Sequence, residues 1–390
     1  MRVFIVAGEP SGDRLGAALM AGLRKKAGAV EFRGIGGDKM LAEGLESLFP
    51  MDEISIMGIT EILSQYSQLK ARIRQTAEAV IAMRPDVLIT VDLPEFSLRV
   101  ARLVKAASDI RTVHYVAPTV WAWRPGRARK MAAHIDQVLA LFPFEPPYME
   151  AEGMRCDFVG HPVTTETQAD ADAVTAFRMR HGVGDAPLML ILPGSRRGEV
   201  SRLAPIFGQV AGRLAATVPG LRFALVAAAP VAEAVEEEVA DWPVRPLIVD
   251  PRGLTPAAFA AEKRAAFAAA DVALAASGTV SLELAAADTP MVIAYDMNWL
   301  SRQVIGRMLR VDTVTLVNLV AESRTVPEFI GARCRPELIA PAVAQVLANP
   351  QAQSEAMRLT MDRLGAGGPP PGERAAEAVL DGLAQGKTRH

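Results

Sequence analysis

A short apolar run at 188–192, LMLIL, is followed at once by a turn of small and basic residues, PGSRRG, at 193–198. An unbroken apolar run of this length predicts a strand that is buried on both faces of a parallel sheet. Glu199 and Val200 then begin a helix. A strand, a small-residue turn and a helix start together leave unpaired backbone N–H groups that point at one spot, and such a spot binds phosphate.

Arg196 adds a planar guanidinium fork to this turn, and such a fork suits phosphate oxygens. The other interpretation is an ordinary strand-to-helix turn with two solvated arginines, and the turn alone does not decide between the two. The turn is not a P-loop, because no Gly-Lys-Ser/Thr follows it. It is not the dinucleotide fingerprint either, because it lacks the G-x-G-x-x-G pattern.

The same arrangement recurs at 272–283, where the apolar run VALA is followed by ASGTVSLE. The helix that begins here offers its N-terminus to the second half of a diphosphate. Glu283 lies four residues after Thr279, and from there its carboxylate can accept hydrogen bonds from both hydroxyls of a ribose. A capping box formed by the same two residues is the alternative, but their spacing is one residue too long for it. The predicted donor-binding residues of the two turns are Gly194, Ser195, Arg196, Glu199, Ser277, Gly278, Thr279 and Glu283.

Length and composition limit the class of protein. The 390 residues suffice for two domains with full cores, and 50% hydrophobic with 22% charged residues is a soluble globular balance. The net charge of −2 provides no global field for nucleic acid. No charge-free apolar run approaches the roughly 18 residues of a membrane span, and the apolar run before Glu9 is too short for a signal peptide. The two cysteines, Cys156 and Cys334, fit a reducing cytoplasm and are interpreted as packing residues.

The N-terminal segment also combines a strand with a glycine-containing turn. The strand predicted at 3–7 ends in GEPSGD, and a helix is predicted over about 15–26. Glycines at the end of a first strand, ahead of a helix, mark the ligand-facing edge of open α/β sheets. Ser11, Gly12 and Asp13 are therefore predicted to line a site, although Ser11 or Asp13 could serve only as a helix N-cap.

Asp92 follows the buried strand predicted at 87–91. It therefore lies at the carboxyl end of a strand, where α/β sheets place their ligands, and it is a candidate general base. Glu95 and His114 are its rivals. Pro94 turns Glu95 away from the strand axis, and His114 lies in the next predicted strand, where a packed, hydrogen-bonded histidine is the more common outcome.

Three stretches join apolar or aromatic residues to clustered bases. They are the first part of the long helix predicted over 56–83, the loop at 121–130 with Trp121, Trp123 and Arg124, and the segment 299–311. Such stretches suit a phosphorylated amphiphile or a membrane surface. Amphipathic helices are more often core helices, and that interpretation stays open.

The predicted elements follow the order βαβα in two sets, which predicts an α/β fold of two doubly wound, Rossmann-like domains. The first domain is assigned to 1–165 and the second to 166–349. Helices at about 350–385 are expected to pack back on the first domain or on a partner subunit in a homodimer, because a Pro/Gly linker at 365–372 precedes the last of them. The ligands of such a pair of domains belong in the cleft between the facing carboxyl edges.

Nine segments of the chain resemble the lipid-A-disaccharide synthase family of lipopolysaccharide biosynthesis, and they occur in the order that the family has them. They are VAGEPSGD (6–13), MGITEIL (57–63), PDVLITVDLPEFS (85–97), HYVAPTVWAWR (114–124), LFPFE (141–145), VGHPV (159–163), LPGSRRGEV (192–200), ASGTVSLE (276–283) and LVNLVA (316–321). Together they span nearly all of both predicted domains. The departures from the family pattern are small and concern Leu93, Glu95 and Val317.

The resemblance implies a glycosyltransferase of the GT-B architecture that inverts the anomeric centre. The donor would be UDP-2,3-diacylglucosamine, the acceptor 2,3-diacylglucosamine 1-phosphate (lipid X), and the products a β-1,6-linked disaccharide 1-phosphate and UDP. Members of the family act in the cytoplasm as peripheral proteins on the inner face of the inner membrane. Carried over residue by residue, Asp92 is the base, and Arg196, Glu283 and Asn318 bind the donor. The residues expected on the acceptor side of the cleft are Ser11, Gly12, Asp13, Trp121, Trp123 and Arg124.

The sequence also predicts that the reaction needs no metal and no other cofactor. One D-x-D pair, Asp170 and Asp172, could hold a divalent cation. It lies in the predicted linker, where Asp172 is a natural N-cap for a helix at 173–181. Arg196 and the two helix N-termini can instead supply the positive charge that a leaving diphosphate requires.

Two other functions stay open on the sequence. An enzyme similar to UDP-N-acetylglucosamine 2-epimerase would share the architecture, but it would not need the tryptophan-and-base loop at 121–130. A nucleotide-sugar or lipid-binding module with a dead site would keep the turns without turnover.

Overall fold

The structure, a computed structural model, describes residues 1–55, 59–121, 126–297 and 311–387, without side chains at 59–66 and 386–387. The chain divides into two compact units. The first consists of Met1–Thr165 with Leu364–His390, and the second of Glu166–Arg363. Each unit contains one parallel sheet with its helices, so the predicted α/β fold class is confirmed.

Seven strands of the described chain form the sheet of the first unit, all of them parallel, in the spatial order β3-β2-β1-β4-β5-β6-β7. The strands are β1 (Arg2–Ala7), β2 (Glu31–Ile35), β3 (Glu46–Ser47), β4 (Val87–Val91), β5 (Arg111–Tyr115), β6 (Gln137–Ala140) and β7 (Arg155–Phe158). The helices between them are α1 (Pro10–Ala27), α2 (Asp38–Ala42), α3 (Ile59–Met83), α4 (Pro94–Ala107), α5 (Gly126–Ala132) and α6 (Pro146–Glu150).

In the second unit, six strands of the described chain form a parallel sheet in the order β10-β9-β8-β11-β12-β13. The strands are β8 (Leu188–Leu192), β9 (Arg222–Val226), β10 (Leu247–Val249), β11 (Val272–Ala275), β12 (Met291–Tyr295) and β13 (Glu328–Ile330). The helices of this unit are α7 (Ala171–Arg180), α8 (Arg197–Thr217), α9 (Ala232–Val239), α10 (Pro256–Ala269), α11 (Val280–Ala286), α12 (Leu316–Ala321), α13 (Pro336–Ala348) and α14 (Gln351–Arg363). A last helix, α15 (Pro371–Lys387), belongs to the first unit.

The central strands are apolar throughout because they are covered on both faces. Along β1, Ile5 lies in one hydrophobic cluster with residues of α1 and α15, while Phe4 and Val6 lie in a second cluster with residues of α3 and α4. Alternate residues of a strand point to opposite faces of its sheet, so a strand covered twice needs an unbroken apolar run.

An aspartate one residue ahead of a strand fixes the start of the neighbouring strand at three places. Asp86 accepts a hydrogen bond from the backbone N–H of Arg2 at 2.7 Å, and Asp136 accepts one from Thr112 at 2.8 Å. In the second unit, Asp271 accepts the N–H of Leu188 at 2.8 Å. These bonds satisfy backbone donors at the amino edge of each sheet, and they keep the strand starts level.

Each sheet has a switch point, at which the strand order reverses. The order passes from β1 to β4 in the first sheet and from β8 to β11 in the second. Open α/β sheets bind their ligands at such switch points, outside the carboxyl ends of the strands. The paired strands end level there, with Ala7 opposite Val91 and Leu192 opposite Ala275.

The C-terminal helices belong to different units, which corrects the expectation for 350–385. Helix α14 packs on α11 and α12 in the second unit, and only α15 packs on α1. The contact with α1 is close because both helices carry small residues: a Cβ added to Gly22 would lie 2.6 Å from the backbone oxygen of Gly372. The homodimer expected through these helices stays a prediction, and a single species of monomer mass in sedimentation equilibrium would contradict it.

The stretches predicted to meet lipid are only partly described. Residues 56–58, 122–125 and 298–310 lie outside the described residues, and Trp123 and Arg124 are among them. In the part of α3 whose side chains are described, Leu69 and Ile73 are buried in the hydrophobic core. This part of 56–83 is therefore a core helix. No helix in the described ranges is long and apolar enough to cross a membrane.

Candidate active site

Asp92 directly follows β4 at the switch point of the first sheet, on a strained backbone. Both Asp92 and Leu93 have positive φ angles, of 51° and 47°, in the left-handed region that non-glycine residues rarely adopt. The loop is held in place by two bonds. The Asp92 N–H donates to Tyr115 O at 2.9 Å, and the Ser97 hydroxyl donates to Asp92 O at 2.7 Å. A strained conformation that its surroundings enforce is common at functional sites.

The next strand end is strained in the same way. Val116, directly after β5, has a φ of 83°, which is an outlier for a β-branched residue. Its N–H donates to Leu139 O of β6 at 3.0 Å. The ends of β4, β5 and β6 are thus tied together at the edge that presents Asp92.

The Asp92 carboxyl is half-buried, and its burial raises its pKa above the usual value. A backbone bond from Leu93 offsets this rise only in part. A carboxylate that is poorly solvated and not paired with a described base accepts a proton more readily than an ordinary surface aspartate. These properties are those of a general base.

The two rivals of Asp92 have other partners. Glu95 is exposed and forms ion pairs with Arg127 at 3.1 Å and Arg99 at 3.4 Å. His114 is fully buried within β5, where its Nδ1 lies 2.8 Å from the Thr90 hydroxyl. Burial, together with the nearby Arg127 and His134, lowers the pKa of His114 to about 4. His114 is therefore the packed, hydrogen-bonded histidine that its place in a strand indicates.

The turn after β1 differs from its prediction in one respect. Helix α1 begins at Pro10 and not near Leu15, so Ser11, Gly12 and Asp13 form its first turn. Ser11 is exposed, and Gly12 is buried, with room for a Cβ that would lie at an ordinary contact distance of 3.5 Å from Val91 O of β4. The first turn of α1 therefore lies beside the end of β4.

Asp13 has a structural role in this turn, and its assignment to the acceptor side stays a prediction. Its carboxylate is buried and accepts backbone N–H bonds from Gly37 at 2.8 Å, Lys39 at 3.0 Å and Met40 at 3.0 Å. It does not cap its own helix, as the alternative proposed, but satisfies the free N–H groups at the start of α2.

Aromatic rings from the segments that follow β5, β6 and β7 pack against one another. Trp121 is buried, and its ring meets Phe144 edge-on at a centroid distance of 5.1 Å. Phe142 stacks on Phe144 at 5.4 Å and on His161 at 5.5 Å. Trp121 is thus part of a packed wall and not a free anchor on the surface.

A buried carboxylate that the sequence analysis missed supports this wall. Glu145 accepts the backbone N–H groups of Leu141 at 3.1 Å and Phe142 at 3.0 Å. Burial raises the pKa of Glu145 to about 8, against the lowering effect of these bonds and of Trp121. An acid within the apolar segment LFPFE was the signal that could have identified it.

The predicted donor residues meet in one cavity of the second unit. The cavity has a volume of about 540 Å³ and lies at the switch point, where β8 and β11 end. The predicted residues that line it are Gly194, Ser195, Arg196, Glu199, Ser277, Gly278, Thr279 and Glu283. Lys263, Phe259 and Phe267 of α10 also line it, and the sequence analysis did not single them out.

Glu199 fills the turn after β8. Its carboxylate accepts the Ser195 N–H at 3.2 Å and the Arg196 guanidinium at 3.1 Å. Gly194 makes room for it, with a φ of 117° and a Cβ position only 2.6 Å from Glu199 Oε2. A carboxylate here takes the place that a phosphate oxygen would take at a helix N-terminus.

Glu283 does not form the capping box with Thr279. Thr279 precedes α11 without a side-chain capping bond. The Glu283 carboxylate instead bonds to the Lys263 ammonium of α10. Glu283 therefore lies on the cavity wall, paired with a cation.

Asn318 has a structural role that the sequence did not predict. It is buried in α12, donates to Thr313 Oγ1 at 3.2 Å and to Val326 O at 2.9 Å, and accepts the Val326 N–H at 3.0 Å. It is not among the residues that line the cavity. Its amide holds the chain on either side of α12 together. The assignment of Asn318 as a donor ligand stays a prediction.

The D-x-D pair belongs to a helix start. Asp170, and not Asp172, is the N-cap of α7, and its carboxylate accepts the Ala173 N–H at 2.8 Å. Asp172 lies in the first turn of the same helix. In the described part of the chain, no group of three His, Cys, Asp or Glu residues is placed to hold a metal ion. Cys156 and Cys334 are buried and form no disulfide, and burial raises the pKa of the Cys156 thiol.

The fold is similar to those of solved structures over nearly the whole chain. The UDP-GlcNAc 2-epimerase of Neisseria meningitidis, bound to UDP-GlcNAc, matches with a TM-score of 0.60 at 12% identity over 99% of this chain and 100% of that one. The MurG protein of Acinetobacter baumannii matches with a TM-score of 0.54 at 14% identity over 98% and 99%. At these identities the likeness shows the fold alone, which is the GT-B architecture of two Rossmann-like domains.

Sequence relatives define the class further, as a glycosyltransferase. The family model described as lipid-A-disaccharide synthetase matches residues 3–376. The lipid-A-disaccharide synthase of Ruegeria pomeroyi is 65% identical over 98% of this chain and 96% of its own length, and that of Rhodospirillum centenum is 47% identical over 97% and 94%. The chain belongs to the lipid-A-disaccharide synthase family, and it is a hexosyltransferase of lipid A biosynthesis.

The raised pKa of Asp92 predicts a gain of stability in Asp92→Asn. Asparagine has the same size, tolerates a positive φ and carries no charge to desolvate. Because the folded pKa is raised, wild-type stability falls as the pH rises from the ordinary carboxyl pKa, about 4, through the folded value. We expect Asp92→Asn to melt at a higher temperature than wild type at pH 7. The difference should shrink toward zero as the pH falls below about 4, because the carboxyl then becomes protonated in both the folded and the unfolded state.

Asp136→Asn is the matched control with the opposite sign. Burial alone would raise the pKa of Asp136, but bonds from Lys105 and Thr112 outweigh it, and the pKa is lowered. This carboxylate stabilises the fold above the ordinary pKa, so Asp136→Asn should melt lower than wild type at pH 7. A wild type more stable than Asp92→Asn at pH 7 would contradict the account of Asp92.

Proposed function

We propose that the protein transfers 2,3-diacylglucosamine from UDP to the 6-hydroxyl of lipid X and gives the β-1,6-linked disaccharide 1-phosphate with inversion. The observation that carries this proposal is the pair of strand-to-helix turns at one switch point, in one cavity of the second unit. Two such turns suit the two phosphates of a nucleotide diphosphate. The family supplies the lipid A disaccharide as the product class.

Asp92 is the proposed general base. As the acceptor oxygen forms its bond to the anomeric carbon, its proton passes to the Asp92 carboxylate, and the bond from the anomeric carbon to the diphosphate oxygen breaks. The electron pair leaves with UDP. The raised pKa of Asp92 supports this role, because a general base must hold the proton that it receives.

The donor diphosphate is proposed to bind Arg196 and the starts of α8 and α11, without a metal. A helix N-terminus carries about half a positive charge, and a guanidinium adds a full charge in a two-pronged geometry. Only Nη1 of the Arg196 guanidinium bonds to Glu199, so its other donors are proposed to bind the phosphate, while the Ser195 N–H becomes available if Glu199 moves. The Arg196 side chain is 77% exposed, so it can turn toward an incoming phosphate.

We expect Asp92→Asn to lower kcat by at least roughly 10²-fold, because general-base catalysis contributes about 10²- to 10⁴-fold. The Kd for UDP should stay near that of the wild type, since Asp92 belongs to the unit without the donor cavity. Steady-state kinetics and calorimetric UDP titration measure the two quantities. Glu95→Gln is the matched control, and a nearly active Asp92→Asn beside an inactive Glu95→Gln would give the role to Glu95.

Arg196→Ala should lower kcat by roughly 10²- to 10³-fold, because a preorganised cation at the leaving group is lost. Arg196→Lys should recover only part of this loss, since lysine cannot make the two-pronged contact. Arg197→Ala is the control, because Arg197 is the exposed neighbour that does not line the cavity.

Activity of the wild type should persist in excess EDTA. Turnover abolished by EDTA and restored by Mg²⁺ or Mn²⁺ would overturn the metal-free account and return attention to Asp170 and Asp172.

The protein is proposed to work in the cytoplasm, in peripheral contact with lipid on the inner face of the inner membrane. The support is the basic and apolar sequence of 56–74, 121–130 and 299–311, apart from the buried Leu69, Ile73 and Trp121. The acyl chains of the proposed substrates add to it. Each engaged Lys or Arg contributes about 1 kcal/mol on an anionic surface. In flotation, the protein should rise with phosphatidylglycerol liposomes at low salt and not at high salt. Its absence from the lipid fraction at low salt would contradict the proposal.

A further inference from the structure

Lys263 is a cation of the donor cavity that has no role in the proposed chemistry so far. It lies on α10, and its ammonium bonds to Glu283 Oε2. The same ammonium lies 5.1 Å from the centre of the Phe267 ring. Phe267 is 3% exposed, so this ring is fixed in the core. The ammonium is thereby held by an ion pair and a cation–π contact.

Glu283 is held through one oxygen only. Its Oε2 is engaged by Lys263, and Oε1 makes no hydrogen bond to any residue that the structure describes. The side chain is 33% exposed and lines the cavity beside Thr279. One carboxylate oxygen is therefore fixed, and the other is available to a hydroxyl of the ligand.

We propose that Lys263 is a positioning residue for the ribose of the donor nucleotide, acting through Glu283. The proposal rests on the proposed function, in which Glu283 accepts hydrogen bonds from the ribose hydroxyls. A free glutamate side chain samples several rotamers, and ordering it when the ligand binds costs conformational free energy. The ion pair with Lys263 orders the carboxylate before the nucleotide arrives.

The Lys263–Glu283 ion pair contributes little to the stability of the fold. Both of its side chains are about one-third exposed, at 32% for Lys263 and 33% for Glu283. Ion pairs with this exposure contribute little to stability, because water screens them. The consequence of the pair is therefore expected in ligand selectivity more than in folding.

The test compares the affinities for UDP and 2′-deoxy-UDP, measured by calorimetry. Losing a hydrogen bond to a charged group costs roughly 10- to 100-fold in affinity, so wild type should prefer UDP by about that ratio. Lys263→Met should reduce the preference severalfold, while Lys263→Arg, which keeps the cation, should retain most of it. Arg264→Met is the matched control on the same helix, since Arg264 does not line the cavity, and it should keep the full preference. Melting curves of all variants verify that they fold.

The outcomes separate the inference from the proposed function. A Lys263→Met variant that weakens UDP and 2′-deoxy-UDP equally would overturn positioning and indicate that Lys263 contacts the diphosphate. A Lys263→Met variant with unchanged affinities would also overturn it. The ribose role of Glu283 is tested separately: Glu283→Gln should lose the preference for UDP. If Glu283→Gln keeps that preference, the ribose assignment in the proposed function is wrong, whatever Lys263 does.

Discussion

The placement of the functional residues depends on the switch point of each parallel sheet, where the strand order reverses. At a switch point, the connections from two adjacent strands leave to opposite sides, and the carboxyl edge between them stays open. Backbone N–H groups at the following helix starts then have no partner inside their own helix. The first unit has such an edge between β1 and β4, and the second has one between β8 and β11. The residues assigned to chemistry follow these strands: Asp92 in the first unit, and the turns at Gly194 and Gly278 in the second.

The functional carboxylates of the two units differ in whether a basic side chain is paired with them. In the donor cavity, Glu199 is paired with Arg196 and Glu283 with Lys263, so each acid is balanced by a base. Such pairs orient side chains and can exchange partners when an anionic ligand arrives. Asp92 has no described cation at bonding distance, and burial raises its pKa. An acid that is balanced holds a ligand in place, whereas an acid that is poorly solvated and unbalanced takes up a proton.

The sequence predicts the parts of this structure that are local. A five-residue apolar run followed by a break indicates a buried strand and its turn, and the strand at Leu188–Leu192 was predicted with its observed bounds. The family resemblance, carried by short motifs, was confirmed by the relatives. The start of α1 was misplaced because the turn GEPSGD contains residues that commonly precede helices, while Pro10 at the first position is equally compatible with a start.

What the sequence did not predict depends on partners that are distant in the chain. Asp13 bonds to backbone groups 24 to 27 residues away, which no local pattern indicates. Asn318 matched a family motif, but its bonds to Thr313 and Val326 become visible only when the loop is folded. Lys263 lies 20 residues before Glu283. The packing of α10 on the sheet determines which of its residues line the cavity.

The most direct measurement of the central claim is the release of UDP by the purified protein. It is given UDP-2,3-diacylglucosamine alone, lipid X alone, or both together, and UDP and disaccharide 1-phosphate are measured by mass spectrometry. A transferase with a base for the acceptor hydroxyl should form both products in equal amounts, and only when both substrates are present. Release of UDP at the same rate from the donor alone, or conversion of the donor sugar to an epimer, would contradict the account.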